Sequence, residues 1–158
     1  MQPHKILVIE DDDFLRNLAY TKLTSVGFSV DISSEGISGM TRIQTGVYDL
    51  IILDLLLPNM DGFHILADLH KHGTLNPDKF IVFSNLGTKE DIESIRNYGI
   101  KNYMIKSSFT LDELVIRINS ILGSQNGNEI ATSIETPNNI EFTAHDEDRS
   151  AIPHSPVA

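Results

Sequence analysis

At 158 residues, with 41% hydrophobic and 22% charged side chains, the chain has room for one hydrophobic core and the composition of an ordinary globular domain. Its formal net charge of −10 argues against nucleic acid as a direct partner, because that recognition rests on Lys and Arg at phosphates, and favours a protein partner instead. Zero cysteines exclude disulfides, thiolate metal sites and cysteine nucleophiles, and the longest apolar run, Leu50 to Leu57, is too short for membrane insertion.

The opening Met1-Gln2-Pro3-His4-Lys5 lacks the charged head and apolar stretch of a signal peptide, so cytoplasmic residence is the expectation. A first strand is predicted over 5–9 and a helix over 13–26. A second strand over 28–32 and a helix over 34–45 follow, then a third strand over 49–53. The run Leu50-Ile51-Ile52-Leu53 is apolar on both faces, as a central strand between two helical layers must be. After it come a helix over 62–72, a strand over 79–83, a helix over 88–98, a strand over 102–105 and a helix over 110–122 that ends at Gly123.

Thr88 with Asp91 and Thr110 with Glu113 have the hydroxyl-to-acid spacing of a capping box at the starts of the last two helices. Leu111, Leu114, Val115, Ile118 and Leu122 recur at helical spacing and form one apolar stripe. Short apolar strands alternating with helices of this length build βαβ units, hence a parallel sheet covered on both faces. From Ser124 the composition turns to Asn, Ser, Thr, Pro and acids. Glu129, Glu135, Glu141, Asp146, Glu147 and Asp148 face Arg149 as the only Lys or Arg there. Residues 124–158 read as a disordered acidic tail, since they bury too little apolar surface to offset chain entropy.

In an open parallel sheet, ligands bind beyond the carboxyl ends of the strands. Glu10-Asp11-Asp12-Asp13 follows the first strand, Asp54 the third, Ser84 the fourth and Lys106 the fifth. Carboxylates gathered in that number suit a hard cation such as Mg²⁺, with Asp11 and Asp54 as direct ligands. With Mg²⁺ and Lys106 masking phosphate charge, the Asp54 carboxylate is placed for nucleophilic attack on phosphorus, and Ser84 and Lys106 for holding the phosphoryl oxygens.

At these residues the chain resembles the receiver domain of two-component response regulators. The matching pieces are KILVIEDDD, DLLLPNMDG, IVFS and YMIK, in family order across residues 5 to 122. The resemblance implies a receiver domain over 1–123 with a flavodoxin-like doubly wound five-stranded parallel sheet, order 2-1-3-4-5, and five helices. It implies that Asp54 is the phosphoacceptor, supplied by a sensor histidine kinase or phosphotransfer protein, and that the chain is a signalling module speaking to a downstream protein effector rather than an enzyme. The backbone carbonyl of Leu56 joins Asp11 and Asp54 at the metal, Glu10 acts through water, and Ser84 and Tyr103 form the switch pair, with Tyr103 turning inward when Ser84 moves.

Four positions depart from the family pattern. Ser107 and Ser108 follow Lys106 where the family has a cis proline, so the expectation is a trans or strained bond, a non-proline cis form costing about 2.5 to 4 kcal/mol. Asn85 replaces a small residue and narrows access to Asp54. Leu56 and Leu86 stand where polar side chains otherwise position the attacking water, which predicts a long-lived phosphoryl state.

Several of the polar residues have plainer roles. Asp12 and Asp13 are best read as helix-cap residues, and Asp61-Gly62 as turn chemistry. His64, His70 and His72, lacking any cysteine and with mixed spacing, read as exposed rather than as metal ligands. Two rival functions remain open: a pseudo-receiver that docks without phosphorylation, and a phosphatase of the haloacid dehalogenase kind whose Asp-x-Asp motif would be Asp11-Asp12-Asp13.

Overall fold

The computed structural model describes residues 2–125, with side chains described to residue 123. Five strands, β1 (Lys5–Ile9), β2 (Ser29–Ser33), β3 (Leu50–Leu53), β4 (Phe80–Ser84) and β5 (Asn102–Ile105), alternate with α1 (Asp13–Ser25), α2 (Gly36–Thr45), α3 (Gly62–Lys71), α4 (Lys89–Asn97) and α5 (Leu111–Gln125). Every strand pair is parallel and the order is β2-β1-β3-β4-β5, the expected flavodoxin-like winding.

Alternation along the strands divides the core in two, because successive side chains point to opposite faces. Leu7, Ile9, Ile51, Leu53, Phe80 and Val82 pack with Met40 of α2, Ile65, Leu66 and Leu69 of α3, and Ile95 of α4. Ile6, Val8, Leu50, Ile52, Ile81 and Phe83 pack with Ala19 and Leu23 of α1 and with Leu114, Ile118 and Leu122 of α5. Each Leu or Ile fully buried in this way contributes about 1.5 to 3 kcal/mol relative to an exposed one. All four residues of β3 are buried, as are all five of β4, so the strand that leads into Asp54 is firmly anchored at the centre of the sheet.

Two boundaries differ from expectation for identifiable reasons. Asn76-Pro77-Asp78-Lys79 forms a short 3₁₀ turn, its Asn76 side chain accepting from the Asp78 amide. The fourth strand therefore starts at Phe80 and takes in Ser84 as its last residue. The fifth helix does not stop at Gly123 but runs to Gln125, since one glycine costs only about 1 kcal/mol in a helix. The acidic tail expected over 124–158 thus gives its first two residues to α5 and otherwise lies outside the described residues.

Both expected capping boxes reach their partners. Thr88 accepts from the Asp91 amide while the Asp91 carboxylate accepts from the Thr88 amide. Thr110 and Glu113 do the same at α5, at 3.2 and 2.7 Å. Among the described residues no helix is long and apolar enough to cross a membrane.

Candidate functional site

The carboxyl ends of β1, β3, β4 and β5 meet at one edge, and register decides who faces whom. Ile9 pairs with Leu53, so Glu10 and Asp54 leave the sheet side by side, the Asp54 amide donating to the Ile9 carbonyl at 3.0 Å. Ser84 pairs with Ile105, which sets Lys106 one residue beyond it. Side-chain oxygens of Glu10, Asp11 and Asp54 all lie within 4.8 Å of one another. Lys106 Nζ reaches across them, 2.7 Å from Asp54 Oδ2 and 2.5 Å from Glu10 Oε2.

Burial makes this cluster electrostatically strong. Glu10 and Asp54 are each 4% exposed, whereas Asp11 is open to solvent. Burial pushes the Glu10 carboxyl up; the Lys106 ammonium opposes that and neighbouring Asp54 adds to it, leaving Glu10 above its ordinary value. Burial pulls Lys106 the other way, but hydrogen bonds to Asp54 and Glu10 outweigh it and hold the ammonium above its usual range. The two directions agree physically: one ammonium serves two buried acids, so it is over-supplied with partners while they are under-supplied.

A hard divalent cation fits this donor set. Three carboxylates converge from two strand ends around a single lysine, and such crowded acids repel until a cation joins them. The loop that follows β3 is held from beneath. The Leu56 amide donates to Asp54 Oδ1 at 3.2 Å, and a Cβ at Gly62 would sit 2.6 Å from the Asp54 carbonyl, so only glycine lets α3 start there. Asp61 caps that helix by accepting from the His64 amide at 2.8 Å, the turn role expected of Asp61-Gly62.

Ser84 is fully buried at the end of β4, where its hydroxyl accepts from the Leu86 amide at 3.4 Å. Tyr103 is half-buried, and its ring packs against the core cluster of α2, α3 and α4. Its hydroxyl donates to the Leu86 carbonyl at 2.5 Å, and burial, with Asp91 and Asp54 adding, pushes the phenol up to about 12. The phenol thus ties β5 to the loop before α4. Leu56 is 52% exposed at the mouth of the site, Leu86 is partly buried and Asn85 is exposed.

The Lys106-Ser107 bond is trans, there being no cis peptide among the described residues, and Lys106–Ser108 form a 3₁₀ turn. Asp12 caps α1 by accepting from the Leu15 amide, and Asp13 pairs with Arg16 inside the first turn. Asp13, the second acid of the Asp-x-Asp reading, thus lies in the first turn of α1 and outside the cluster of Glu10, Asp11 and Asp54. His64, His70 and His72 are exposed: His64 and His72 lie beside Asp61 and Asp68, and His70 meets the Tyr98 ring edge-on.

One residue at the site escaped the sequence reading. Arg16 folds back from α1 to donate to the carbonyls of Glu10 at 2.9 Å and Asp11 at 3.2 Å. Its signal in the sequence was an arginine one turn into the helix that follows a run of acids.

Comparison with known proteins agrees with this architecture. The family model for the response regulator receiver domain matches residues 6–119. The transcriptional regulatory protein QseB of Escherichia coli O157:H7 is 35% identical over 123 residues, covering 78% of this chain and 55% of that protein. The response regulator ArlR of Staphylococcus haemolyticus is 33% identical over 120 residues, covering 76% of this chain and 53% of that one. The chain thus spans about half the length of the curated relatives it matches. Among solved structures, the receiver domain of the Francisella response regulator 1452 superposes with a TM-score of 0.70 at 30% identity, covering 77% of this chain and 98% of that one.

Proposed function

The chain belongs to the response regulator receiver family, and from that premise we propose that Asp54 accepts a phosphoryl group from a histidine kinase or phosphotransfer protein and passes the signal on by a change of conformation. The observation that carries this reading is the buried Lys106 ammonium, 2.7 Å from Asp54 and 2.5 Å from Glu10, with Asp11 beside them. A structural ion pair needs one acid; a site for a cation and a phosphoryl group needs the surplus.

A carboxylate oxygen of Asp54 forms a bond to phosphorus as the phosphorus–nitrogen bond of the donor phosphohistidine breaks, the bonding pair staying on the imidazole nitrogen. Asp11, Asp54 and the Leu56 carbonyl would hold Mg²⁺ directly, and Glu10 through water. Bound there, Mg²⁺ supplies charge neutralisation of the phosphoryl oxygens. Lys106, released from Asp54, and the Ser84 hydroxyl take the oxygens of the transferred group. Ser84 must then leave the Leu86 amide. Because Tyr103 is anchored to the carbonyl of that same Leu86, the loop before α4 feels the change. A bistable loop biased in this way is how a local charge event reaches a distant surface.

Incubation with Mg²⁺ and acetyl phosphate, read by intact mass, tests the proposal. A receiver gives one phosphoryl adduct, lost in Asp54→Asn. A pseudo-receiver gives none, and that result would retire this reading. Leu56 and Leu86 offer an attacking water no hydrogen bond, so the adduct is expected to be long-lived, and Leu56→Gln to shorten its half-life. An unchanged half-life in that variant removes the role of Leu56.

A further inference from the structure

Asp11 is the exposed member of the acid cluster, so its aim depends on the backbone that carries it. Two amides of that loop have acceptors elsewhere: Glu10 N donates to the Ser33 carbonyl at 3.0 Å, and Asp12 N to Glu10 Oε1 at 3.2 Å. The carbonyls of Glu10 and Asp11 remain, and a single nitrogen, Nη1 of Arg16, takes both. Its other terminal nitrogen engages the Asp13 carboxylate. Although α1 is a surface helix, the Arg16 side chain is only 12% exposed.

The Asp13 carboxylate accounts for a cation on this turn, but not for one that folds back over the Glu10 and Asp11 carbonyls beside a cation pocket. The start of a helix carries partial positive charge, and a fixed guanidinium beside a divalent cation repels it. What Arg16 supplies is geometry. A planar fork can hold two carbonyls and a carboxylate at once, whereas the ammonium of lysine is a point charge on a flexible stem.

We propose that Arg16 is a positioning residue for cation binding: by clamping the Glu10 and Asp11 carbonyls it turns the Asp11 carboxylate toward Asp54. The inference rests on the reading of the acid pocket as a Mg²⁺ site. Groups that orient metal ligands without touching the metal commonly change its affinity by about 10-fold or more when replaced.

Titration calorimetry with Mg²⁺ alone, at a temperature where circular dichroism shows each protein folded, tests it on wild type, Arg16→Lys and Arg16→Met. Positioning predicts that the Mg²⁺ Kd rises about tenfold in both variants. The sign in Arg16→Met is decisive, because loss of a nearby positive charge would by itself tighten binding. A role confined to fold stability lowers the melting midpoint and leaves Kd alone. Unchanged or tighter binding in both variants overturns the inference and spares the pocket. Wild-type protein that binds no Mg²⁺ overturns the pocket reading and this inference with it.

Discussion

At each end of β1 a lysine is set against acids, Lys5 of the strand itself at one and Lys106 from beyond β5 at the other, with opposite consequences. At the amino end, Lys5 Nζ lies 3.0 Å from Asp31 and 5.0 Å above the Tyr48 ring, with side chains 43% and 31% exposed. At the carboxyl end, Lys106 lies between Glu10 and Asp54 with side chains 11%, 5% and 4% exposed. Exposed pairs gain little, because water screens the attraction and two long side chains lose freedom. In the buried cluster, desolvation is large, and each charge depends on its neighbours for solvation. A surface pair adds little to a strand end that other bonds already hold; a buried, over-acidic cluster is poised to exchange partners.

The largest way to break this contrast is Lys106→Met. It leaves Glu10 and Asp54 buried without their ammonium, and uncompensated buried charge costs about 3 to 5 kcal/mol. Urea unfolding of the metal-free protein should show a midpoint lowered accordingly with an unchanged slope. A loss no larger than that of a surface pair would mean that solvent reaches these acids freely.

A smaller effect separates Glu10 from its neighbours through pH. Burial and Asp54 hold its carboxyl above the ordinary 4.5 despite Lys106, so the folded protein binds that proton more tightly than the unfolded chain. Its contribution to stability is therefore present below about pH 4.5 and lost as pH rises through the folded value. Glu10→Gln, which mimics the protonated acid, should raise the melting midpoint of the metal-free protein at pH 7, with the gain vanishing as pH falls below 4.5. A midpoint lowered at pH 7 would show that the Lys106 pairing outweighs burial.

How much of this was legible beforehand depends on whether a feature is local. The strands were legible because β-branched and apolar runs carry their own burial, and Leu50-Ile51-Ile52-Leu53 could only be central. Asp11, Asp54, Ser84 and Lys106 were legible because strand ends fix a common edge. Strand order came from family resemblance, since periodicity does not state which strands pair. The hydrogen bond from the Tyr103 phenol was not legible, because its acceptor is a carbonyl 17 residues away. Nor was the clasp between Glu35 and Asn59, 24 residues apart, or the approach of Gly36 so near the Met60 carbonyl that a Cβ would lie 1.6 Å from it. Arg16 fell between these cases: close in sequence, but telling only once its fold back over the loop is seen.

The smallest effect belongs to the amino end. Replacing Lys5 by Gln removes the ammonium but not the structure it adjoins. Asp31 keeps the Tyr48 hydroxyl at 2.7 Å and Arg42 at 4.0 Å. The start of β1 is held through the Lys5 backbone, its amide donating to Asp49 Oδ2 at 2.7 Å and its carbonyl accepting from the Asp49 amide at 2.8 Å, and neither bond uses the Lys5 side chain. Lys5→Gln should therefore leave the melting midpoint nearly unmoved, and any residual difference should disappear near 1 M salt, where the screening length is about 3 Å. Lys106→Met should keep most of its deficit in the same salt of a monovalent cation, because charges as buried as Glu10 and Asp54 are screened far less than exposed ones. Equal salt sensitivity at the two ends would mean that burial does not distinguish them, and the acid pocket would then be another surface ion pair.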